Sequence, residues 1–521
     1  MSSIISKIRL INFKRFRDYS LTPNEKMNIL VGDNEVGKST VLEAINMVAS
    51  GNIKRIESIG IDRLFNIDAV HEFNIGKRTF ENLPNMIVEL YLKGDFDFTM
   101  NGKNNSDGII CDGIRMICAP NEDYHSEITE ALNEQPDYFP YDYYSVRFST
   151  FADEGYTGYK KKIRSILIDS TNMNSDYATN DFVKRMYLQY TEANVKERSA
   201  HKSKYRQMKN KYCSENLGDI NRRVPKDKQY TFGLKSSSIS GIENDLMIYE
   251  NEISIDSKGT GKQVFIKTDF ALEHSGTNID VILIEEPENH LSHVNLRKLI
   301  QRVSESQSGQ LFITTHNSLI STRLELNNLL IMHNCSEVKP TMLKDLTEET
   351  AKYFMKVPPV NVIEFVLSEK SILVEGPSEY MLFERFYETV TGTKPENDNV
   401  QILDVRGLSF KRYLEIACLT NARVTVVTDN DEDAQKHCID KYSAYANVDN
   451  IKINFEPDNS KRTFEVVLYN DNVSLCDALF GNDAQNYMLH NKTEAAYALL
   501  SQNDVINVPS YIKEAIEWIR Q

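Results

Sequence analysis

The stretch Met27-Asn-Ile-Leu-Val-Gly32-Asp-Asn34-Glu-Val-Gly37-Lys38-Ser39-Thr40 limits what this chain can fold into more than any other. An apolar run that reads as a buried strand stops at a loop of the form G-x-x-x-x-G-K-S, and Val41, Leu42, Ile45 and Val48 then recur at helical spacing. Strand, loop and helix in that order wrap backbone amides and a helix N-terminus around an anion, and glycines keep side chains out of its path. The expected ligand is the triphosphate of ATP. Gly32, Asn34, Gly37, Lys38, Ser39 and Thr40 are the candidate binding residues, with Lys38 neutralising the β- and γ-phosphates and Ser39 holding Mg²⁺.

A phosphate loop needs partners from elsewhere in the chain, and three distant segments qualify. Val281-Ile-Leu-Ile-Glu285-Glu286-Pro-Glu288 is a second buried strand, ending in consecutive acids. At the C-terminal edge of a parallel sheet, Glu285 can reach the Mg²⁺ shell and Glu286 can act as catalytic base on the attacking water. Leu311-Phe-Ile-Thr-Thr-His316 is a third such strand, whose histidine is placed to sense the γ-phosphate. Ser257-Lys-Gly259-Thr260-Gly261-Lys-Gln263 is a glycine-rich turn ahead of the acidic strand. This order resembles the ATP-binding-cassette (ABC) ATPases of the RecF and SMC type. The resemblance implies that Gly259, Thr260 and Gly261 act on ATP bound by a partner subunit, so that the working unit is at least a dimer. Three details depart from that pattern: the turn lacks a leucine-serine opening, Glu285 stands where an aspartate is usual, and Leu291-Ser292-His293 stands where Leu-His-Pro is common. No glutamine is assignable to a Q-loop.

The prolines Pro358-Pro359 disfavour a continuous helix and mark the expected boundary. Beyond them short apolar strands alternate with helical patterns: Ser371–Val374, a helix from Tyr380, Val400–Leu403, a helix near Phe410, and Val424–Thr428. Such alternation predicts a small parallel α/β sheet. Its first strand ends in Glu375-Gly-Pro-Ser-Glu379 and its third in Asp429-Asn-Asp431-Glu-Asp433. Carboxylates at the ends of neighbouring strands can converge on hard divalent cations, while Asp433 reads equally as a ligand or a helix cap. A strand ending in E-G-x-x-E followed by one ending in D-x-D resembles the TOPRIM fold of topoisomerases, primases and some nucleases.

An ABC-type ATPase followed by TOPRIM resembles the OLD (overcoming lysogenization defect) family of ATP-dependent nucleases, and within it the large-subunit branch of the Gabija anti-phage systems. Ile11-Asn-Phe-Lys-Arg-Phe16, Ile284-Glu-Glu-Pro-Glu288, Leu373–Glu379, Val405–Phe410, Thr463-Phe-Glu465, Asn491-Lys492 and Pro509–Ile516 carry the likeness over nearly the whole length. It implies a nuclease site of Glu375, Glu379, Asp429, Asp431, Glu465 and Lys492, with the acids holding Mg²⁺ (or Mn²⁺) and Lys492 clamping phosphate. On residue pattern alone, a lysine that opens an amphipathic helix is ordinarily solvent-facing.

Composition sets outer limits. The chain has 521 residues, 41% hydrophobic and 26% charged, enough for two or three cored domains. No apolar run approaches membrane-spanning length and the first residues do not read as a secretory signal, so a cytoplasmic protein without a membrane partner is expected. Seven cysteines without CxxC spacing imply reduced thiols. The net charge of −15 hides one basic segment, Lys160–Lys228, with 17 Lys and Arg against 8 Asp and Glu. It reads either as a solvated helical arm or as a contact surface for a phosphate backbone. The expected architecture is an α/β chain: an ABC-type ATPase domain at 1–350, with a helical dimerisation insertion at about 153–230, then a TOPRIM nuclease domain with a C-terminal helical extension at 360–521. The expected activity is Mg²⁺-dependent DNA cleavage regulated by the ATPase, in a homodimer or higher homo-oligomer such as a tetramer, with a helicase-like partner subunit left open. RNA cleavage and an ATP-gated DNA clamp with an inactive TOPRIM domain are the alternatives.

Overall fold

The computed structural model describes the chain except for residues 1–3, 97, 135–137, 159–161, 170–182, 185, 189, 192–193, 225–230, 236–240, 274–278, 306–308, 318–319, 321–323, 325, 334–339, 357–361, 407–409 and 503–504. In chain order its strands are β1 (Ile4–Phe13), β2 (Phe16–Leu21), β3 (Met27–Val31), β4 (Met86–Lys93), β5 (Asn101–Gly102), β6 (Cys111–Pro120), β7 (Tyr144–Thr150) and β8 (Ser165–Asp169). There follow β9 (Tyr249–Glu250), β10 (Ile253–Ser254), β11 (Val281–Glu285), β12 (Gln310–Thr314), β13 (Leu329–Ile331) and β14 (Thr341–Met342). The last four are β15 (Lys370–Val374), β16 (Val400–Asp404), β17 (Arg423–Val427) and β18 (Ile451–Asn454).

The phosphate-loop strand β3 lies inside a six-stranded sheet of order β14-β13-β3-β12-β11-β8, parallel except for β14. Both faces are covered, which is why these strands read as unbroken apolar runs. Side chains alternate between two cores. Leu30, Val281, Leu283 and Phe312 face the helix Lys38–Ser50 and an antiparallel sheet built from β1, β2, β4, β5, β6 and β7. Ile29, Val31, Ile282, Ile284 and Ile313 face the helices Thr260–Glu273 and His293–Glu305.

The acidic turns belong to a four-stranded sheet, β16-β15-β17-β18, that is parallel throughout. Strand β15, which leads to Glu375, pairs directly with β17, which leads to Asp429. Leu373, Val424 and Val426 point to the helix Phe410–Thr420, whereas Ile372, Val374 and Val427 point to the helix Pro377–Thr391 and the C-terminal helices. The first of these cores is continuous with that under the phosphate-loop sheet. Phe354, on the helix Glu348–Lys356, and Phe365 each pack edge-on against Tyr413 at 5.2 and 5.0 Å between ring centroids. Glu415 accepts from the Thr347 amide at 2.6 Å and the Thr350 hydroxyl at 2.5 Å.

Several local expectations change. The segment Ile11–Phe16 that carries part of the likeness spans the turn of the β1–β2 hairpin, where Asn12 and Lys14 take positive φ. The glycine turn is partly helical, because Thr260 begins a helix that contains Gly261. The helix expected from Tyr380 begins at Pro377, whose fixed φ suits a first helical position, and so takes in Glu379. Asp433 caps: its carboxylate accepts from the Lys436 amide at 3.1 Å. Residue 350 falls within the helix Glu348–Lys356, and Pro358-Pro359 lies outside the described residues. Within the basic segment, Val195–Asn216 is a 22-residue helix with no buried residue; much of 159–193 and 225–230 lies outside the described residues. Six described cysteines are free. Among the described residues, no helix is long and apolar enough to cross a membrane.

Candidate active sites on two sheet edges

The loop after β3 is formed as its glycines require. Gly37 has φ 98°, and a Cβ there would come within 2.5 Å of the Phe16 ring, so only glycine fits the start of the helix Lys38–Ser50. Lys38 is buried and folds back on its own loop, its Nζ donating to the carbonyls of Gly32 and Asp33 at 2.8 Å each. Burial lowers its pKa, opposed by the charges of Glu286, Asp33 and Glu288. A nucleotide phosphate would exchange for those two carbonyls. Asn34 and Ser39 are exposed and Thr40 is half-buried.

The sheet order brings the other expected residues beside this loop, because β12 separates β3 from β11 and all three end at one edge. Glu285 ends β11, half-buried. Glu286 follows in a left-handed conformation (φ 40°) that its amide fixes by donating to the Thr314 carbonyl at 3.1 Å. Its Oε1 lies 3.0 Å from Nε2 of His316, and its Oε2 accepts from Asn289 at 2.8 Å. An acid and an imidazole paired near a buried lysine suit control of a water at a γ-phosphate. Gly259, Thr260 and Gly261 are not drawn into this pocket by any hydrogen bond among the described contacts, and a Cβ on Gly259 would meet nothing within 4 Å. That exposure is compatible with action on a second subunit. Glu288, which the sequence reading left without a role, accepts through Oε1 from the Thr315 hydroxyl at 2.6 Å and the His316 amide at 2.8 Å.

The second site gathers at the edge of the four-stranded sheet. Glu375, just past β15, accepts from the Thr428 hydroxyl at 2.5 Å and the Asp429 amide at 3.1 Å, which ties the two acidic turns together. Asp429 accepts from the Phe464 amide at 2.8 Å, so the helix Phe464–Asp471 delivers its neighbour Glu465 to the same place. Lys492, first residue of the helix Lys492–Leu500, donates to Glu465 Oε2 at 2.9 Å. Thus Glu375, Glu379, Asp429, Glu465 and Lys492 converge from five segments. Asp431 is exposed beside them, with φ 49°, and its charge acts on Glu375.

Four carboxyls outnumber the ammonium groups of Lys492 and Lys441 whose charges reach them. Burial, then the charges of Glu465 and Glu375, push Glu379 up to about 8. Burial, then the charges of Glu375, Glu379 and Glu465, push Asp429 up to about 9. Glu375 is raised as well, chiefly by burial. Burial works against the charge of Lys492, yet Glu465, Asp429 and Glu379 hold its pKa above the ordinary lysine value. Hard oxygen donors that lack positive charge fit a divalent cation. Among the described residues no three such side chains already form a coordination shell, since Glu375, Asp429 and Glu465 are each turned to a donor of the protein.

Comparisons with known proteins agree with this division. Residues 4–320 match the AAA ATPase domain family, and residues 366–431 match the family described as overcoming lysogenization defect protein-like, TOPRIM domain. No curated protein matches. Among solved structures, the Smc head domain of Pyrococcus furiosus, bound to the C-terminal domain of ScpA, aligns at 13% identity over 67% of this chain and 99% of that one, with a TM-score of 0.32. The recombination mediator RecF aligns at 12% identity over 65% and 98%, with a TM-score of 0.32. The C-terminal region of the OLD protein of Xanthomonas campestris pv. campestris aligns at 17% identity over 29% and 94%, with a TM-score of 0.23.

Proposed function

Because the chain belongs to the AAA ATPase domain family and continues into an OLD-like TOPRIM domain, we propose that it is an ATP-regulated, Mg²⁺-dependent DNA endonuclease of anti-phage defence, akin to the large subunit of Gabija systems. The observation that carries this reading is the convergence of Glu375, Glu379, Asp429 and Glu465 on one sheet edge, with the ammonium of Lys492 bonded to Glu465. A divalent cation bound there supplies Lewis acidity and an activated water, with Mn²⁺ able to replace Mg²⁺. The chain's own groups do the remaining work. Glu379 and Asp429 give up the protons they hold in the cation-free protein; Glu375 keeps the two acidic turns in register through Thr428 and Asp429; and Lys492 offsets negative charge developing on the scissile phosphate. Asp431, exposed beside Glu375, is the outermost of the candidate ligands.

At the other edge Lys38 leaves the Gly32 and Asp33 carbonyls for the phosphates, Ser39 and Glu285 hold the accompanying Mg²⁺, and Glu286 orients water with His316 beside it. Gly259, Thr260 and Gly261 complete the site of a second copy in a homodimer, or in a tetramer built from such dimers. A helicase-like subunit is a further partner of this reading.

The decisive experiment incubates the purified protein with Mg²⁺ and matched DNA and RNA, with and without ATP. Cleavage of DNA that is lost in Glu379→Ala supports the proposal. Cleavage confined to RNA would reassign the substrate, and ATP-dependent DNA binding without cleavage of either would make the TOPRIM domain an inactive part of a clamp.

A further inference from the structure

Three loops leave the phosphate-loop sheet side by side, after β3, β11 and β12, and hydrolysis requires that their side chains keep fixed positions. One carboxylate links two of them, and the threonine it holds is bonded to the strand that leads to the third. Oε1 of Glu288 takes two hydrogen bonds from the loop after β12, from the Thr315 hydroxyl at 2.6 Å and the His316 amide at 2.8 Å. The same Thr315 hydroxyl accepts from the Asn317 amide at 2.9 Å, and the Thr315 amide donates to the Leu30 carbonyl of β3 at 3.2 Å, two residues before Gly32. In return, the Glu286 amide donates to Thr314 at 3.1 Å. The backbone on either side of the Glu286–His316 contact is thereby pinned, and the ring Nε2 rests 3.0 Å from Glu286 Oε1.

We propose that Glu288 is the positioning residue of the hydrolytic pair: it holds the histidine turn against the acid turn so that Glu286 and His316 meet over the phosphate loop. Three observations separate this from a surface ion pair. Glu288 spends one oxygen on two donors within the protein; its other oxygen is buried with no donor; and both of its donors sit on the loop that carries the histidine. The inference rests on the ATPase reading and adds to it the element that fixes the geometry.

The test measures ATP affinity and steady-state hydrolysis in wild type, Glu288→Gln, Glu288→Ala, Thr315→Val and Glu288→Ala/Thr315→Val. Gln retains an accepting oxygen, so its kcat should stay within about threefold of wild type, while Ala should lose roughly 10- to 100-fold in kcat with the Kd for ATP changed less than about twofold. Thr315→Val should lose part of that activity, and the double variant should be no slower than Glu288→Ala, since both cut one link. The chemical shifts of the His316 ring at fixed pH should move in Glu288→Ala and return in Glu288→Gln, because the ring's position against Glu286 is what changes. Equal losses in Gln and Ala would make the charge, not the hydrogen bonds, responsible and overturn the proposal. So would a Glu288→Ala protein with unchanged kcat, or parallel losses in kcat, ATP affinity and thermal midpoint. Should Glu288→Ala fail to fold, a folded Thr315→Val protein with unchanged kcat overturns it instead. A wild-type protein that does not hydrolyse ATP refutes the ATPase reading itself, a separate outcome.

Discussion

Glu379→Gln should stabilise the cation-free protein at pH 8 and do little at pH 5. In the folded chain burial, followed by the charges of Glu465 and Glu375, raises Glu379 from 4.5 to about 8. A carboxyl whose pKa is higher folded than unfolded binds its proton more tightly in the fold. Its contribution to stability is fully present below 4.5 and is lost as pH rises through about 8. At about 1.4 kcal/mol per tenfold in proton affinity, Glu379 taken alone accounts for roughly 5 kcal/mol over that interval. Asp429, raised to about 9, competes for the same proton, so the loss seen by pH 8 should be nearer 2–4 kcal/mol for the coupled set. Gln cannot ionise and removes one repelling charge. The chain supplies its own probe, because its one tryptophan, Trp518, lies on the last helix, where its carbonyl accepts from Arg423 of β17 at 2.7 Å and its ring stacks under the same guanidinium. Urea unfolding followed by Trp518 fluorescence in EDTA should show the wild-type midpoint falling from pH 5 to pH 8, with a shallower fall in Glu379→Gln. Mg²⁺ should restore wild type at pH 8 and restore the variant less. Parallel pH dependence of the two proteins in EDTA would refute the electrostatic account of this site.

Lys492→Met should leave ATP hydrolysis intact and lower DNA cleavage roughly a hundredfold to a thousandfold, the loss seen for one oxyanion-stabilising group; undiminished turnover would return Lys492 to an ordinary exposed helix residue. Glu286→Gln should bind ATP normally yet hydrolyse it at least about a hundredfold more slowly, checked by single-turnover kinetics, whereas Lys38→Ala should lose nucleotide binding in equilibrium dialysis. Gly261→Asp places a carboxylate in the first turn of the Thr260–Glu273 helix, where it favours the helix but repels a phosphate. It should therefore fold, bind ATP and fail to hydrolyse it, and mixing with Lys38→Ala should restore activity if the glycine turn serves a partner's site.

The phosphate loop could be read from the sequence because its geometry is local: glycine positions, one lysine and a strand–helix switch within fourteen residues. The acids of β15 and β17 were legible for a related reason, since a buried parallel strand can place a carboxylate only at its end. Glu465 and Lys492 were different. Nothing local distinguishes Lys492 from a solvated helix start, and only family likeness singled it out; its contact with Glu465 is made by the packing of two helices. Glu288 closed a segment of family likeness but suggested no role, because its hydrogen bonds go to residues 27 and 28 positions away. The antiparallel sheet was missed since two of its pairings, β1 with β4 and β6 with β7, join segments far apart in sequence, and β18 since a four-residue Ile-Lys-Ile-Asn is too short to show a period. Asp431 differs from Asp429 in a way the D-x-D spacing does not show: it has a left-handed backbone and is exposed, whereas Asp429 is hydrogen-bonded to the Phe464 amide.

The continuous core beneath the two parallel sheets bears on how such a chain can be recombined. Phe354 and Phe365 precede the second sheet in sequence, yet both rings close on Tyr413 within it, and Glu415 holds Thr347 and Thr350 from the same helix. A gene fusion joined anywhere from residue 357 to 361 would separate Phe354 from its aromatic partner and strip the Glu415 carboxylate of both threonines. Each aromatic left uncovered bares on the order of 150 Å² or more of apolar surface, enough to make either fragment adhesive in isolation. A TOPRIM half transplanted onto another ATPase would therefore have to bring the helix Glu348–Lys356 with it, and an ATPase half kept without it would need a new cover: the seam by which the two halves could be inherited separately runs ahead of that helix, between Met342 and Thr347.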